Sequence, residues 1–109
     1  MKYIATTEKV WELLKSSTTE ITEVIATDGD YKDTIIDQNI FMENMEFHME
    51  SGCLVNCIGW HCDRPYYSEA VSEQEWVLTT GKMNCEIENF LTVHLKVTDV
   101  SVAEKIMED

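Results

Sequence analysis

An alternation of apolar and polar side chains over residues 83–97 constrains the fold more than any other feature. The apolar members of this alternation are Met83, Cys85, Ile87, Leu91, Val93, Leu95 and Val97. Because successive side chains of a strand lie on opposite faces, the segment predicts a long strand with one buried and one wet face, bent near Asn89. One-sided exposure is typical of antiparallel sheets, so we expect an antiparallel sheet.

Two further segments indicate a β-hairpin before this strand. Residues 20–27 and 31–37 are rich in β-branched side chains and flank Asp28-Gly29-Asp30. An Asp-Gly pair between two such runs is a common hairpin turn. The sequence therefore predicts two paired strands here.

A second hairpin is predicted from the pattern that follows. Residues 44–50 alternate Met45, Phe47 and Met49 with polar side chains, and a turn at Ser51-Gly52 leads into CLVNCIGWHC. Period-two alternation places the three apolar residues on one side of a strand. We therefore expect Phe47 on the buried face.

Apolar spacing and capping patterns predict helices at both ends of the chain. Residues 7–16 place apolar side chains on one stripe behind Thr7, which is a candidate N-cap, and we expect this helix to dock through Trp11. Near the C-terminus, Ser101 is followed three residues later by Glu104, which is a capping-box pattern. A helix is predicted to start there.

The same reasoning predicts a short helix in the middle of the chain. Ser72 and Glu75 form a capping-box pattern, and Gly81 can end a helix that covers 73–80 and carries Trp76. The elements together predict an α+β fold, with an antiparallel sheet of about five or six strands and short N-terminal, middle and C-terminal helices packed on one face. We expect one domain over 1–109, because Pro65 is the only proline and no linker interrupts the chain.

Charge restricts the partners that the chain can bind. It has 21 Asp and Glu against 8 Lys and Arg, which gives a formal net charge of −13, and 44% of its residues are hydrophobic, enough to form a core. Nucleic acid and anionic membranes are bound through clustered cations, so we expect neither as a direct partner. No apolar run reaches the ~18 residues of a membrane span. We expect a cytoplasmic protein.

Cysteine and histidine are concentrated in HMESGCLVNCIGWHC. This segment contains Cys53, Cys57, His61 and Cys62, with Cys85 as an outlying thiol. Thiolate and imidazole are the ligands that zinc prefers, and these five residues are the candidate ligands of a structural zinc ion. In a straight strand Cys53 and Cys57 would lie about 13 Å apart, so a shared ion requires a bend, a helical turn or ligands donated from neighbouring strands. The adjacent pair His61 and Cys62 could then ligate from a loop.

Two other interpretations of this cluster stay open. Small buried cysteines pack as apolar residues, which suits Cys85 on the inward face of its strand. A disulfide is disfavoured because the expected compartment is reducing. The spacing matches no standard zinc finger.

Acidic residues dominate the interval between Lys32 and Lys82, where Arg64 is the only base. The candidate partner-binding residues of this interval are Asp33, Asp37, Glu43, Glu46, Glu50, Asp63, Glu69 and Glu73. A field of one sign attracts a cationic partner and speeds association. Proteins whose grooves bind nucleic acid are natural partners of this kind.

No catalytic motif accompanies this charge. The sequence lacks a P-loop, a dinucleotide-binding glycine motif, HExxH and GxSxG. Paired carboxylates such as Glu86 and Glu88 are expected from composition alone. We therefore expect a protein that is not an enzyme.

The overall character resembles a known class of proteins. A small, strongly acidic chain without catalytic motifs, with the group Cys53, Cys57, His61 and Cys62, resembles the phage-encoded anti-CRISPR proteins that inhibit type II RNA-guided DNA nucleases. The resemblance implies a role and no particular fold, because those inhibitors are mutually unrelated. It implies stoichiometric binding to a basic Cas nuclease in an infected bacterial host, which blocks loading of guide or target DNA. Zinc would serve structurally.

Two alternatives share part of this reasoning. An immunity or antitoxin protein that neutralises a basic toxin nuclease would rely on the same charge. A small metal-dependent or thiol enzyme would instead use the Cys and His cluster with an open coordination position.

Overall fold

One antiparallel sheet and three helices make up the part of the chain that the structure describes. This structure is a computed structural model, and it describes residues 2–26, 32–51, 58–63, 74–82 and 91–108. The elements in chain order are β1 (Lys2–Thr6), α1 (Thr7–Lys15), β2 (Thr19–Ala26), α2 (Gln38–Ser51), β3 (Ile58–Asp63), β4 (Glu75–Lys82), β5 (Leu91–Val97) and α3 (Val100–Glu108). The prediction of an α+β fold with an antiparallel sheet is confirmed.

The strand order β1-β3-β4-β5-β2 determines where the helices lie. Strands β3, β4 and β5 pair consecutively, while β1 and β2 form the two edges. Helix α1 connects these two edges and therefore crosses the whole sheet, where it packs on β1, β2, β3 and α3. Helix α2 packs on β2.

One face of the sheet and the helices form a single core. The buried strand residues are Ala5, Val24, Ala26, Trp60, Cys62, Trp76, Leu78, Val93, Leu95 and Val97. All of these except Ala26 form one hydrophobic cluster with the buried helix residues Val10, Leu13, Leu14, Phe41, Met45, Ala103 and Met107. On the opposite face, Glu20 and Glu75 flank Lys96 in register, and all three are exposed. The sheet thus has one buried and one wet face.

A buried hydrogen bond joins α1 to β3 inside this core. The indole Nε1–H of Trp60 donates to the hydroxyl oxygen of Thr7 at 3.2 Å, and both residues are buried. A buried donor without an acceptor is costly because it has lost its hydrogen bonds to water. Thr7 therefore allows the largest type of side chain to be enclosed beneath the first turn of α1.

We predict that Thr7→Val destabilises the fold by about 1 to 3 kcal/mol, because it keeps the shape of the side chain and removes the acceptor for Trp60. In a Trp60→Phe background, the same substitution should cost less, since no indole N–H remains to be left unpaired. Urea unfolding of the wild type, both single variants and the double variant measures this coupling. An equal cost of Thr7→Val in both backgrounds would contradict the role of the hydrogen bond.

The predicted N-terminal helix is confirmed, with two corrections. Thr6, not Thr7, is the N-cap, because its side chain accepts from the backbone N–H of Lys9. Trp11 is only half-buried, with the Lys15 Nζ 5.2 Å from its ring centroid. The helix docks mainly through the buried residues Val10, Leu13 and Leu14, and the half-buried Trp11 packs against the same core. Strand β1, directly before this helix, was not predicted.

The predicted C-terminal helix is also confirmed, and Asp99 supplies its cap. The Asp99 Oδ1 accepts from the Ser101 hydroxyl at 2.7 Å and from the Val102 backbone N–H at 3.3 Å. These hydrogen bonds favour the ionised form, and they lower the pKa of the Asp99 carboxyl below its ordinary value of 3.8, with the Ser101 bond as the largest cause. The capping residue therefore lies two positions before the predicted Ser101.

We predict that wild type is more stable than Asp99→Asn near neutral pH, and that this advantage is lost in acid. Asparagine also caps helices but does not ionise. A carboxylate whose pKa is lowered by folding contributes stability above its unfolded pKa, and the contribution disappears as the pH falls through 3.8 towards the lower folded value. Thermal unfolding of both proteins between about pH 6 and about pH 3 measures the difference. A constant difference over that range would be inconsistent with this assignment.

The prediction of a strand over 44–50 is wrong, because this segment belongs to α2. Met45 is 5% exposed as expected, whereas Phe47 is 66% exposed. Met45 and Met49 lie four residues apart, a spacing that fits one face of a helix as well as one face of a strand. The helix is selected by Phe41, one turn before Met45, which is 4% exposed.

The prediction of a helix over 73–80 is also wrong. Residues 75–82 form β4, in which Trp76 and Leu78 are fully buried on the core face. Gly81, expected to end a helix, pairs with Gly59 of β3. The period-two alternation of large apolar residues and the β-branched residues between them outweigh the local capping pattern.

The remaining strand predictions are confirmed in part. Strand β2 matches the prediction over 20–27. Of the predicted partner segment 31–37, the described residues pair with β2 through a bridge between Ile35 and Ile25 and backbone hydrogen bonds on either side of it, but they form no continuous strand. Within CLVNCIGWHC, β3 matches from Ile58 onwards. The long strand predicted over 83–97 is confirmed from Leu91 to Val97. Residues 27–31, 52–57 and 83–90 lie outside the described residues.

Candidate acidic docking surface

Four of the predicted partner-binding residues lie in helix α2 or directly before it. Asp37 precedes the helix, and its Oδ1 accepts from the backbone N–H groups of Asn39 and Ile40 at 2.9 and 3.1 Å. Glu43, Glu46 and Glu50 follow within the helix, and all three are exposed. Asp37 thus caps the helix on which the other three carboxylates are displayed.

The carboxylates of α2 lie along one stripe. Residues three, four and seven apart lie on the same side of an α-helix, and Glu43, Glu46 and Glu50 have these spacings. The helix sequence QNIFMENMEFHMES contains no Lys or Arg. The stripe therefore has no neutralising base on its own element.

The other helices carry a different charge pattern. Helix α1 contains Glu8 and Glu12 together with Lys9 and Lys15. Helix α3 likewise contains both signs, with Lys105 between Glu104 and Glu108. The surplus of acid is thus spread over several elements, and among the three helices described only α2 carries acid unmixed with Lys or Arg.

The other predicted partner-binding residues lie apart from this stripe or outside the described residues. Asp33 is exposed with φ 68°, and its backbone N–H donates to the Ala26 carbonyl at 2.7 Å, so it returns the chain to the edge of β2. Asp63 is the last residue of β3. Glu69 and Glu73 lie outside the described residues.

Two large apolar residues on α2 were missed as candidates. Ile40 and Phe47 are 54% and 66% exposed. The alternation over 44–50 assigned Phe47 to a buried face and left Ile40 outside the segment. Their spacing of seven residues, with Phe41 and Met45 four apart on another side, is the sequence pattern that would have indicated an exposed apolar stripe.

The structure places Cys62 in the apolar core. Cys62 is fully buried, pairs in register with Tyr3 and Leu78, and belongs to the hydrophobic cluster. His61 precedes it within β3 and pairs with Ile4 and Thr79. His61 and Cys62 therefore lie in a strand, and the arrangement in which they ligate zinc from a loop is not the one observed. A small thiol packed among apolar side chains behaves as a hydrophobic residue.

The other candidate zinc ligands give no site that can be described. Cys53, Cys57 and Cys85 lie outside the described residues. Within the described ranges, no group of three or more His, Cys, Asp or Glu residues could hold a metal ion. Zinc binding stays a prediction.

We predict that Cys62→Ala lowers stability by about 1 kcal/mol, because it removes one buried sulfur atom from the core. The metal content of the purified protein should be unchanged by this substitution, since the thiol packs against apolar side chains. Elemental analysis and thermal unfolding of Cys62→Ala, with Cys57→Ser as the comparison, provide the measurement. Loss of bound zinc from Cys62→Ala would show that the thiol is a ligand after all.

Comparisons with known proteins identified no relative of this chain. No protein family, curated protein or solved structure matches the chain. Among the helices that the structure describes, none is long and apolar enough to cross a membrane.

Proposed function

We propose that this protein is a non-enzymatic inhibitor that binds a basic nucleic-acid-processing protein, a type II CRISPR Cas nuclease, and blocks its loading of nucleic acid. The observation that carries the proposal is the carboxylate stripe Glu43, Glu46 and Glu50 on a helix without Lys or Arg. The identity of the partner rests on the resemblance in overall character to the anti-CRISPR proteins.

The physical basis is competition for a cationic groove. A channel that holds a nucleic-acid duplex presents Lys and Arg towards phosphates. Exposed glutamates on a rigid helix offer anionic oxygens to the same cations. The net charge of −13 attracts such a channel from a distance, and the local stripe then supplies the contacts.

A basic toxin nuclease is the second candidate partner, and the same stripe supports it. Both partners present a cationic nucleic-acid groove, so the proposed mode of binding is unchanged. A panel of purified proteins that contains both classes of nuclease separates the immunity role from the anti-CRISPR role.

We expect salt-sensitive binding to a nuclease freed of nucleic acid. Binding is measured by interferometry against the panel from about 0.1 M to about 1 M salt, over which the screening length falls from about 10 Å to about 3 Å. Affinity should fall steeply with salt, and DNA cleavage by the bound nuclease should be inhibited at a stoichiometric ratio. Absence of binding to every nuclease, or binding that ignores salt, would overturn the proposal.

A matched pair of variants locates the contribution of α2. The triple variant Glu43→Gln, Glu46→Gln, Glu50→Gln removes the stripe, and Glu12→Gln, Glu20→Gln, Glu75→Gln removes the same charge from exposed positions elsewhere. We expect the first triple variant to weaken binding by about tenfold or more, and the second to weaken it less, since contacts exceed long-range attraction in strength. Equal weakening would assign the effect to net charge and reject the stripe.

A further inference from the structure

Helix α2 exposes two large apolar side chains on the side away from the core. Ile40 is 54% exposed and Phe47 is 66% exposed. A spacing of seven residues is nearly two helical turns, so the two residues lie on one side of α2, about 10.5 Å apart along its axis. Together they form an apolar ridge, defined here as Ile40 and Phe47.

The ridge is separate from the face that holds α2 on the sheet. Phe41 and Met45 are 4% and 5% exposed and belong to the hydrophobic cluster. At 100° per residue, these two positions lie more than a quarter turn of the helix from Ile40 and Phe47. More than half of the surface of each ridge residue is exposed to solvent.

The carboxylate stripe runs beside the ridge. Glu43 and Glu50 follow Ile40 and Phe47 by three residues each, which places the acids along one flank of the ridge. Asn44, which is exposed, lies on the other flank. The outer surface of α2 thus combines an apolar line with an anionic line.

The carboxylate stripe and the apolar ridge both destabilise the isolated protein. Glutamates three and four residues apart repel each other, and Glu50 in the last turn opposes the helix dipole. The exposed parts of the two ridge side chains contribute no free energy of burial to folding. Departures from local consistency of this kind are expected where a surface serves binding.

We propose that α2 is the docking helix of this protein, and that it inserts Ile40 and Phe47 into an apolar groove of a basic protein while its glutamate stripe faces Lys and Arg on one rim. The inference rests on the proposed function and names its mode of binding, a helix laid into a groove. Charge complementarity identifies the partner of this surface as a basic protein. Nucleic acid and anionic lipid would repel the stripe, and a second copy of the chain would bring two stripes of like charge together.

A model peptide tests this mode without reference to any nuclease. The probe is a helical peptide of Leu and Lys with one apolar and one cationic face, compared with an oligolysine of equal charge. We expect the Leu and Lys peptide to shift the amide resonances of α2 in isotope-labelled protein more than those of α1 and α3. Its affinity should exceed that of oligolysine by about tenfold, because only the former offers apolar surface to the ridge.

Serine variants provide the matched control. Ile40→Ser and Phe47→Ser should each remove most of the advantage of the Leu and Lys peptide over oligolysine. Val102→Ser changes an apolar residue that is 37% exposed on α3, and it should leave that advantage intact. The amide spectra of the free variants show that each is folded before it is titrated.

The outcomes separate this inference from the proposed function. Resonance shifts spread evenly over the acidic elements, equal affinity for both peptides, or dimerisation through α2 in light scattering would overturn the docking helix. Peptide binding at α2 without binding to any nuclease would retain the docking helix and reject the nuclease as partner. Nuclease binding that is unchanged by Ile40→Ser and Phe47→Ser would retain the proposed function and reject this mode.

Discussion

Burial of one sheet face under the helices holds the described elements of this protein together. Trp60 and Trp76 lie on that face, 2% and 0% exposed, and the Trp76 ring stacks on Tyr3 with centroids 6.2 Å apart. Aromatic side chains of this size supply much of the apolar area that a small domain can bury. The indole of Trp60 can be enclosed because Thr7, at the start of α1, accepts its hydrogen bond.

This core determines which elements can carry function. Helix α1 spans the sheet between its edge strands and buries Val10, Leu13 and Leu14, so its position is fixed by packing. Helix α2 packs on the edge strand β2 and joins the core through Phe41 and Met45. The core therefore places few requirements on the outer surface of α2. Among the three helices that the structure describes, it is the one whose acids are unmixed with Lys or Arg.

The sequence predicted part of the candidate site and missed another part. Glu43, Glu46 and Glu50 were predicted as partner-binding residues from the charge pattern, because they belong to an acidic interval in which Arg64 is the only base. Ile40 and Phe47 could not be found in this way, since the alternation of 44–50 assigned Phe47 to a buried strand face. For Cys62, proximity in sequence to other thiols suggested a ligand, whereas its register between Tyr3 and Leu78 places it in the apolar core.

Local sequence patterns were sufficient to predict β2, β5, α1 and α3, because each has a single dominant periodicity and the two helices have polar capping residues close to their first turns. The identities of α2 as a helix and β4 as a strand depend on long-range packing. Met45 and Met49 fit either period, and Phe41 resolves the choice once it packs into the core. In β4, the pairing of Trp76 and Leu78 with Leu95 and Val93 outweighs a local capping pattern, since non-local burial contributes more free energy than one helix cap.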